Sequence, residues 1–319
     1  MSPGDPGPRH RVRGFAASPP HEPELDPPFE ILEPETLAAP LVLSSPHSGS
    51  SYPQRFLASS RLDAAMLRRS EDALVDRLFA AAVDFGVPMI RARFPRAYLD
   101  VNREPYELDP RMFEGRLPAY ANTRSIRVAG GLGTIARVVA DSQEIYKGRL
   151  KLDEALGRIE KLYKPYHTCL RDLLERAHRS FSCAVLVDCH SMPSVSTQPA
   201  PREEAAEQRV RADFVLGDRY GTSCDSAIVD TVDRELRRLG YSVLRNKPYA
   251  GGFITEHYGD PATGFHAMQI EVNRAIYMDE RSLAPLARFD QVAADLTRVM
   301  DVLIRSLAHR RGPQRAAAE

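Results

Sequence analysis

The chain has no excess of charge: 43 Lys and Arg balance 43 Asp and Glu across 319 residues. That balance lacks the basic footprint that nucleic-acid binding ordinarily requires. Cysteine is scarce, and Cys169, Cys183, Cys189 and Cys224 form no Cys-x-x-Cys pair. This spacing excludes a zinc ribbon and a dense disulfide framework. No apolar run approaches the roughly 18 residues of a membrane span, and the N-terminus has no apolar core like that of a secretion signal. The expectation is a soluble, cytoplasmic protein with no nucleic-acid or membrane partner. At 43% hydrophobic residues, the chain can bury a large core without staples.

Several catalytic signatures are also missing. There is no G-x-S-x-G elbow, no P-loop, no G-x-G-x-x-G and no H-E-x-x-H. The pair Cys189–His190 makes a poor nucleophile and base, because adjacent strand residues point to opposite faces.

Proline is concentrated at one end, with ten of 25 in the first 40 residues. Residues 1–30 are therefore expected to be a flexible arm, 31–311 one folded domain and 312–319 a disordered tail. Within the domain, strand and helix patterns alternate. Short apolar strands are expected at Leu41–Ser45, Val87–Phe94, Ala184–Asp188, Tyr241–Leu244 and His266–Val272. Helical stripes cover 61–85 (ended by Gly86), 151–178, 226–239 and 286–309. This alternation predicts an α/β fold, three layers α/β/α around a mixed, largely parallel sheet. Residues 104–150 read as an excursion over the sheet edge.

Ligands of open α/β sheets bind beyond the carboxyl ends of the strands. Those ends carry Pro46–Gly49 with His47, Asp188–Ser191 with His190, and Glu271–Asn273. Asp100–Arg103, with Asn102, follows the strand ending at Phe94. Two histidines, several carboxylates and an arginine at one rim have the composition of a His/His/carboxylate metal site with an anion clamp. Individually, each also fits a structural role: His47 in a turn, Asp188–His190 as a buried pair, Arg103 in a surface ion pair, and Glu71–Asp72 as helix-N-terminal acids.

The segments Ser45–Gly49, Arg96–Arg103, Pro165–His167, Val187–Met192, Leu216–Cys224, Gly251–Gly259 and His266–Arg274 together resemble the N-formylglutamate amidohydrolase family. They span roughly residues 40–280. That family is related in fold to the zinc carboxypeptidases and aspartoacylases. The resemblance implies a metal-dependent amidohydrolase acting on an N-formyl or N-acyl amino acid, foremost N-formyl-L-glutamate, as in histidine degradation. It implies about one zinc or other divalent metal per chain, with His47 and His190 as ligands. It also implies Glu271 as general base and Asn102–Arg103 as the substrate-carboxylate clamp, with Arg96 and Arg137 as further cations. The carboxypeptidase H-x-x-E spacing would put the carboxylate ligand at position 50, which is Ser50, so Asp72 is the expected third ligand and Glu71 its alternative. Asp188 would hold a histidine tautomer, and Gly251–Tyr258 reads as a mobile lid. Competing readings are a zinc hydrolase of another N-acyl amino acid or small amide, and a catalytically silent binding protein of the same fold.

Overall fold

The strand patterns come together in a computed structural model that describes residues 11–14, 22–139, 142–194 and 212–309. The strands are β1 (Arg11–Gly14), β2 (Phe29–Glu33), β3 (Leu41–Ser45), β4 (Met89–Ala92), β5 (Phe113–Glu114), β6 (Val138–Val139), β7 (Gln143–Glu144), β8 (Leu150–Lys151), β9 (Ala184–Met192), β10 (Phe214–Gly217), β11 (Val243–Arg245) and β12 (Phe265–Asn273). Eight of them form one sheet in the order β1-β2-β4-β3-β9-β12-β10-β11. The neighbours β4–β3, β3–β9, β9–β12 and β10–β11 run parallel, whereas β1–β2, β2–β4 and β12–β10 run antiparallel. The sheet is thus mixed and largely parallel, as the alternating pattern predicts. The short strands β5–β8 make two two-stranded ribbons in the excursion at 104–150.

The helices are α1 (Gln54–Ser59), α2 (Ala64–Arg68), α3 (Val75–Phe79), α4 (Ile126–Ala129), α5 (Leu152–Arg158), α6 (Lys164–Phe181), α7 (Ser226–Arg238), α8 (Phe253–Tyr258) and α9 (Phe289–His309). Central strands are apolar on both sides because helices cover both. Val42, Ile90, Leu186 and Ala267 pack with Tyr166, Leu170 and Leu174 of α6. Their alternate neighbours Leu43, Val185, Val187, Met268 and Ile270 pack with Leu78 of α3, Val232 of α7 and Leu296 of α9. Among the described residues, no helix is long and apolar enough to cross a membrane.

Three expectations need correction. The region drawn as a flexible arm is partly built into the fold: β1 pairs with β2, and Leu25 and Phe29 are completely buried. Residues 1–10 and 15–21, like the tail at 312–319, lie outside the described residues. The helix expected over 61–85 is broken between α2 and α3, where Leu74 takes a left-handed φ of 66°. Tertiary hydrogen bonds outcompete helix continuity there: Asp72 N–H donates to His47 O at 3.0 Å, and Ser48 Oγ donates to Asp72 O at 3.0 Å. The long helix at 151–178 runs on to Phe181 but carries a π-helical turn at Ile159–Tyr163, just before Pro165. Proline has no N–H for the preceding turn and crowds its carbonyl, and a widened turn relieves both.

Candidate metal centre

The polar residues of the site continue the apolar alternation of the strands. On β9, Leu186 faces α6, so Asp188 and His190 follow on the same side; on β12, Gln269 and Glu271 follow Ala267. The parallel register sets Gln269 beside Asp188 and Glu271 beside His190. The chain leaving β3 turns through Pro46 to His47 and is held by a close backbone approach at Gly49. A Cβ on Gly49 would lie 2.2 Å from Phe94 O and 2.6 Å from the Arg93 carbonyl carbon. Gly49→Ala is therefore expected to destabilise the fold by about 2 kcal/mol and to lower Tm by several degrees in a thermal melt. An unchanged Tm would mean that this strand-end loop is free to shift.

Three donor atoms converge. Asp72 Oδ2 lies 2.9 Å from His190 Nδ1 and 3.3 Å from His47 Nδ1, and one ligand atom from each of the three residues can be chosen within 4.8 Å of the others. The opposite ring nitrogens are engaged by carboxylates: His47 Nε2 with Asp100 Oδ1 at 2.7 Å, and His190 Nε2 with Asp188 Oδ2 at 2.8 Å. A neutral imidazole that donates through Nε2–H leaves a lone pair on Nδ1. His190 Nδ1 is hydrogen-bonded to Asp72 Oδ2, whereas the buried His47 Nδ1, 3.3 Å from the same oxygen, has no hydrogen-bond partner. A proton or a cation between these atoms would satisfy the carboxylate and the His47 nitrogen. Burial opposes protonation of His190, yet Asp188 and Asp72 push its imidazole well above the ordinary value. Burial likewise raises the Asp72 carboxyl, but His190, His47 and Arg96 hold it well below its usual range. Two imidazole nitrogens and one carboxylate oxygen, each ring braced by a carboxylate, fit a divalent cation with room for water or substrate.

The three donors line a cavity of about 1100 Å3 together with Glu271, Arg96, Asn102, Arg103 and Arg274. Glu271 is pushed up to about 7, by burial first and then by Asp72, against the opposing charges of His190, Arg96 and Arg274. Its Oε1 accepts a hydrogen bond from Gln269 Nε2 at 2.6 Å. Arg96 and Arg103 both approach Asp100 Oδ2, at 3.0 and 3.6 Å. Burial, reinforced by Arg96, pushes the Arg103 guanidinium below its ordinary value even with Asp100 beside it. Two guanidiniums facing one carboxylate leave local demand for a second anion.

The remaining expected residues divide. Asn102 lines the cavity, but its amide is engaged: Nδ2 donates to Asp188 Oδ2 at 3.1 Å and lies 3.1 Å from His190 Nε2, while Oδ1 accepts from Ile254 N at 2.8 Å. Its amide braces Asp188, the carboxylate partner of His190, and the start of α8. Arg137 is not brought to the site. Its guanidinium pairs with Glu144 of β7 at 3.2 Å and with Asp109, in the turn before β5, at 2.9 Å, outside the cavity lining. Glu71, the alternative ligand, turns away to Tyr52 Oη at 2.8 Å and Arg68 Nε at 3.1 Å. The segment expected to be a lid contains α8, with Ile254, Thr255 and Tyr258 buried. Hydrogen bonds from Ile254 N to Asn102 and from Gly252 N to Gln269 Oε1 (2.8 Å) anchor it.

Two residues acquire a place that no local pattern assigns. Arg274 donates to Asp72 Oδ1 at 3.1 Å and to Glu71 O at 2.7 Å, tying the third donor to the end of β12. Asp100 lies between His47 and the two arginines. The one available signal is position, since Arg274 stands three residues beyond Glu271 and Asp100 lies within the Arg96–Arg103 segment.

Comparison with known proteins bears on this geometry. A family model described as N-formylglutamate amidohydrolase matches residues 39–278, a span that contains every residue of the site. Over 275 residues the chain is 27% identical to the N-formylglutamate deformylase of Pseudomonas putida, covering 84% of this chain and 92% of that protein. The N-formylglutamate deformylase of Pseudomonas aeruginosa is also 27% identical, over 285 residues, with 87% and 94% covered. Among solved structures, the N-formylglutamate amidohydrolase from Ralstonia eutropha JMP134 superposes with a TM-score of 0.81 at 36% identity, covering 89% of this chain and 99% of that one.

Proposed function

The chain belongs to the N-formylglutamate amidohydrolase family, and from that premise we propose that it is a metal-dependent amidohydrolase of the cytoplasm that converts N-formyl-L-glutamate and water to formate and L-glutamate. The observation that carries this reading is the convergence of His47 Nδ1, His190 Nδ1 and Asp72 Oδ2 in one cavity with Glu271, Arg96 and Arg103. Two ring nitrogens and a carboxylate oxygen suit zinc. Zinc held there would polarise the formyl carbonyl as a Lewis acid and make the attacking water more acidic.

The chain's own groups account for the rest. Glu271 takes the proton from the attacking water and returns it to the amide nitrogen as the C–N bond breaks, so formate leaves from one side and the amine of glutamate from the other. Its carboxyl, pushed up to about 7, lies near the pH at which a group must both accept and give a proton. Arg96 and the NH2 group of Arg103 take substrate carboxylate, while Arg103 Nε and NH1, donating to Leu132 O and Asn102 O, hold that guanidinium in place. Asn102, bonded to Asp188 and facing the ring of His190, keeps that ring in register. The cavity accommodates a small dicarboxylate.

The decisive experiment measures formate release from a panel of N-formyl and N-acetyl amino acids, with and without a chelator. The expected result is chelator-sensitive formate release confined to N-formyl-L-glutamate. Turnover of other amides without formate would assign the site to another N-acyl substrate, and no turnover throughout would indicate a binding protein.

A further inference from the structure

Asp100 touches both halves of the site. One oxygen, Oδ1, lies 2.7 Å from His47 Nε2 and accepts from Asn102 N at 2.8 Å. The other, Oδ2, faces Arg96 NH2 at 3.0 Å and Arg103 NH2 at 3.6 Å. The carboxyl group is almost completely buried. Burial raises it, but Arg103, His47 and Arg96 together hold it well below the usual carboxylate range. Its backbone is fixed too, with Asp100 N–H donating to Thr134 O at 2.9 Å.

We propose that Asp100 is a positioning residue that ties metal retention to anion recognition. This rests on the reading of His47, Asp72 and His190 as the metal donors and of Arg96 and Arg103 as the carboxylate binders. By accepting from Nε2–H, Asp100 fixes the tautomer of His47, so that its Nδ1 lone pair faces Asp72 and His190. With its second oxygen, the same carboxylate accepts from Arg96, faces Arg103, which Leu132 O and Asn102 O hold in place, and neutralises one of their two charges. Carboxylates behind metal-bound histidines are worth about 10- to 100-fold in metal affinity. Here the carboxylate is shared, so a single change should disturb two otherwise separate properties.

Asp100→Asn keeps the shape and one acceptor oxygen, removes the charge and turns an N–H donor toward Arg96. Zinc affinity of the stripped enzyme, measured by competition with a chromogenic chelator, should fall about 10- to 100-fold. KM for N-formyl-L-glutamate should rise at the same time. Arg96→Gln removes one guanidinium and leaves the donors untouched, so it should raise KM while zinc affinity stays within about threefold. A zinc affinity in Asp100→Asn within twofold of wild type would overturn the proposal. A wild-type protein that binds no zinc would overturn the reading of the metal centre instead. Should Asp100→Asn not fold, the wild-type protein supplies the test. With 15N-labelled histidine, the His47 ring is expected to be protonated at Nε2, and protonation at Nδ1 would refute the role of Asp100.

Discussion

Glu271→Gln is expected to lower the kcat for formate release by about 100- to 10,000-fold while leaving fold and metal content intact. The substitution conserves shape, and the Gln oxygen can still accept the bond that Gln269 Nε2 makes to Glu271 Oε1 at 2.6 Å. Glu271 sits beside His190 in the β9–β12 register but is not one of the three converging donors. On the proposed mechanism, what disappears is the ability to hold a proton between its removal from water and its delivery to nitrogen. Three measurements separate this loss from damage to the site: steady-state kcat, zinc per chain by elemental analysis, and binding of the product L-glutamate. A variant with zinc retained and kcat within tenfold of wild type would remove Glu271 from proton transfer.

Asp72→Asn should have a comparable effect on activity through a different cause. Asp72 contributes the one carboxylate among the three donors, and its oxygens meet His47, His190 and Arg274. The neutral amide is a weak zinc ligand and offers half the acceptors. The variant should retain less than about a tenth of the wild-type zinc after dialysis. Formate release should then fall by about three orders of magnitude, the scale set by losing both Lewis acid and activated water. Arg274 keeps its bonds to Glu71 O and Arg69 O, at 2.7 and 3.3 Å, so the end of β12 remains anchored. Stability should drop less than with Asp72→Ala, which removes the hydrogen-bond acceptor facing the buried Arg274 as well as the charge, at a further cost of about 1–3 kcal/mol. One zinc per chain with normal turnover in Asp72→Asn would refute the assignment of Asp72 to the metal.

The readable part of the site is the part that strand geometry determines. Asp188 and His190, or Gln269 and Glu271, are two residues apart on apolar strands, so period-two alternation sends each pair to one face. His47 and Arg103 become candidates because they stand just beyond strands, where open α/β sheets bind their ligands. Arg137 fails on the same logic. It lies near no strand of the main sheet, and its charge is taken up by Glu144, brought up by the β6–β7 pairing, and by Asp109, from the turn before β5. The helix expected over 61–85 fails because periodicity registers only local preference, whereas the break at 69–74 is held by bonds to His47 and Ser48 more than 20 residues away.

By itself, then, the order of residues determined five strands of the main sheet (β3, β4, β9, β11 and β12, but not β1, β2 or β10), the two-sided apolar core, the α/β class and the strand-end positions of the two histidines and Glu271, since each follows from neighbours along the chain. The tertiary structure alone decided that Asp72 rather than Glu71 turns toward the histidines, that Asn102 bonds Asp188, the carboxylate partner of His190, and that Asp100 joins His47 to Arg96 and Arg103. The physical reason is the same in each case. A buried carboxylate or amide goes where its hydrogen-bonding groups are satisfied, and here those partners come from segments that meet only after the sheet has assembled.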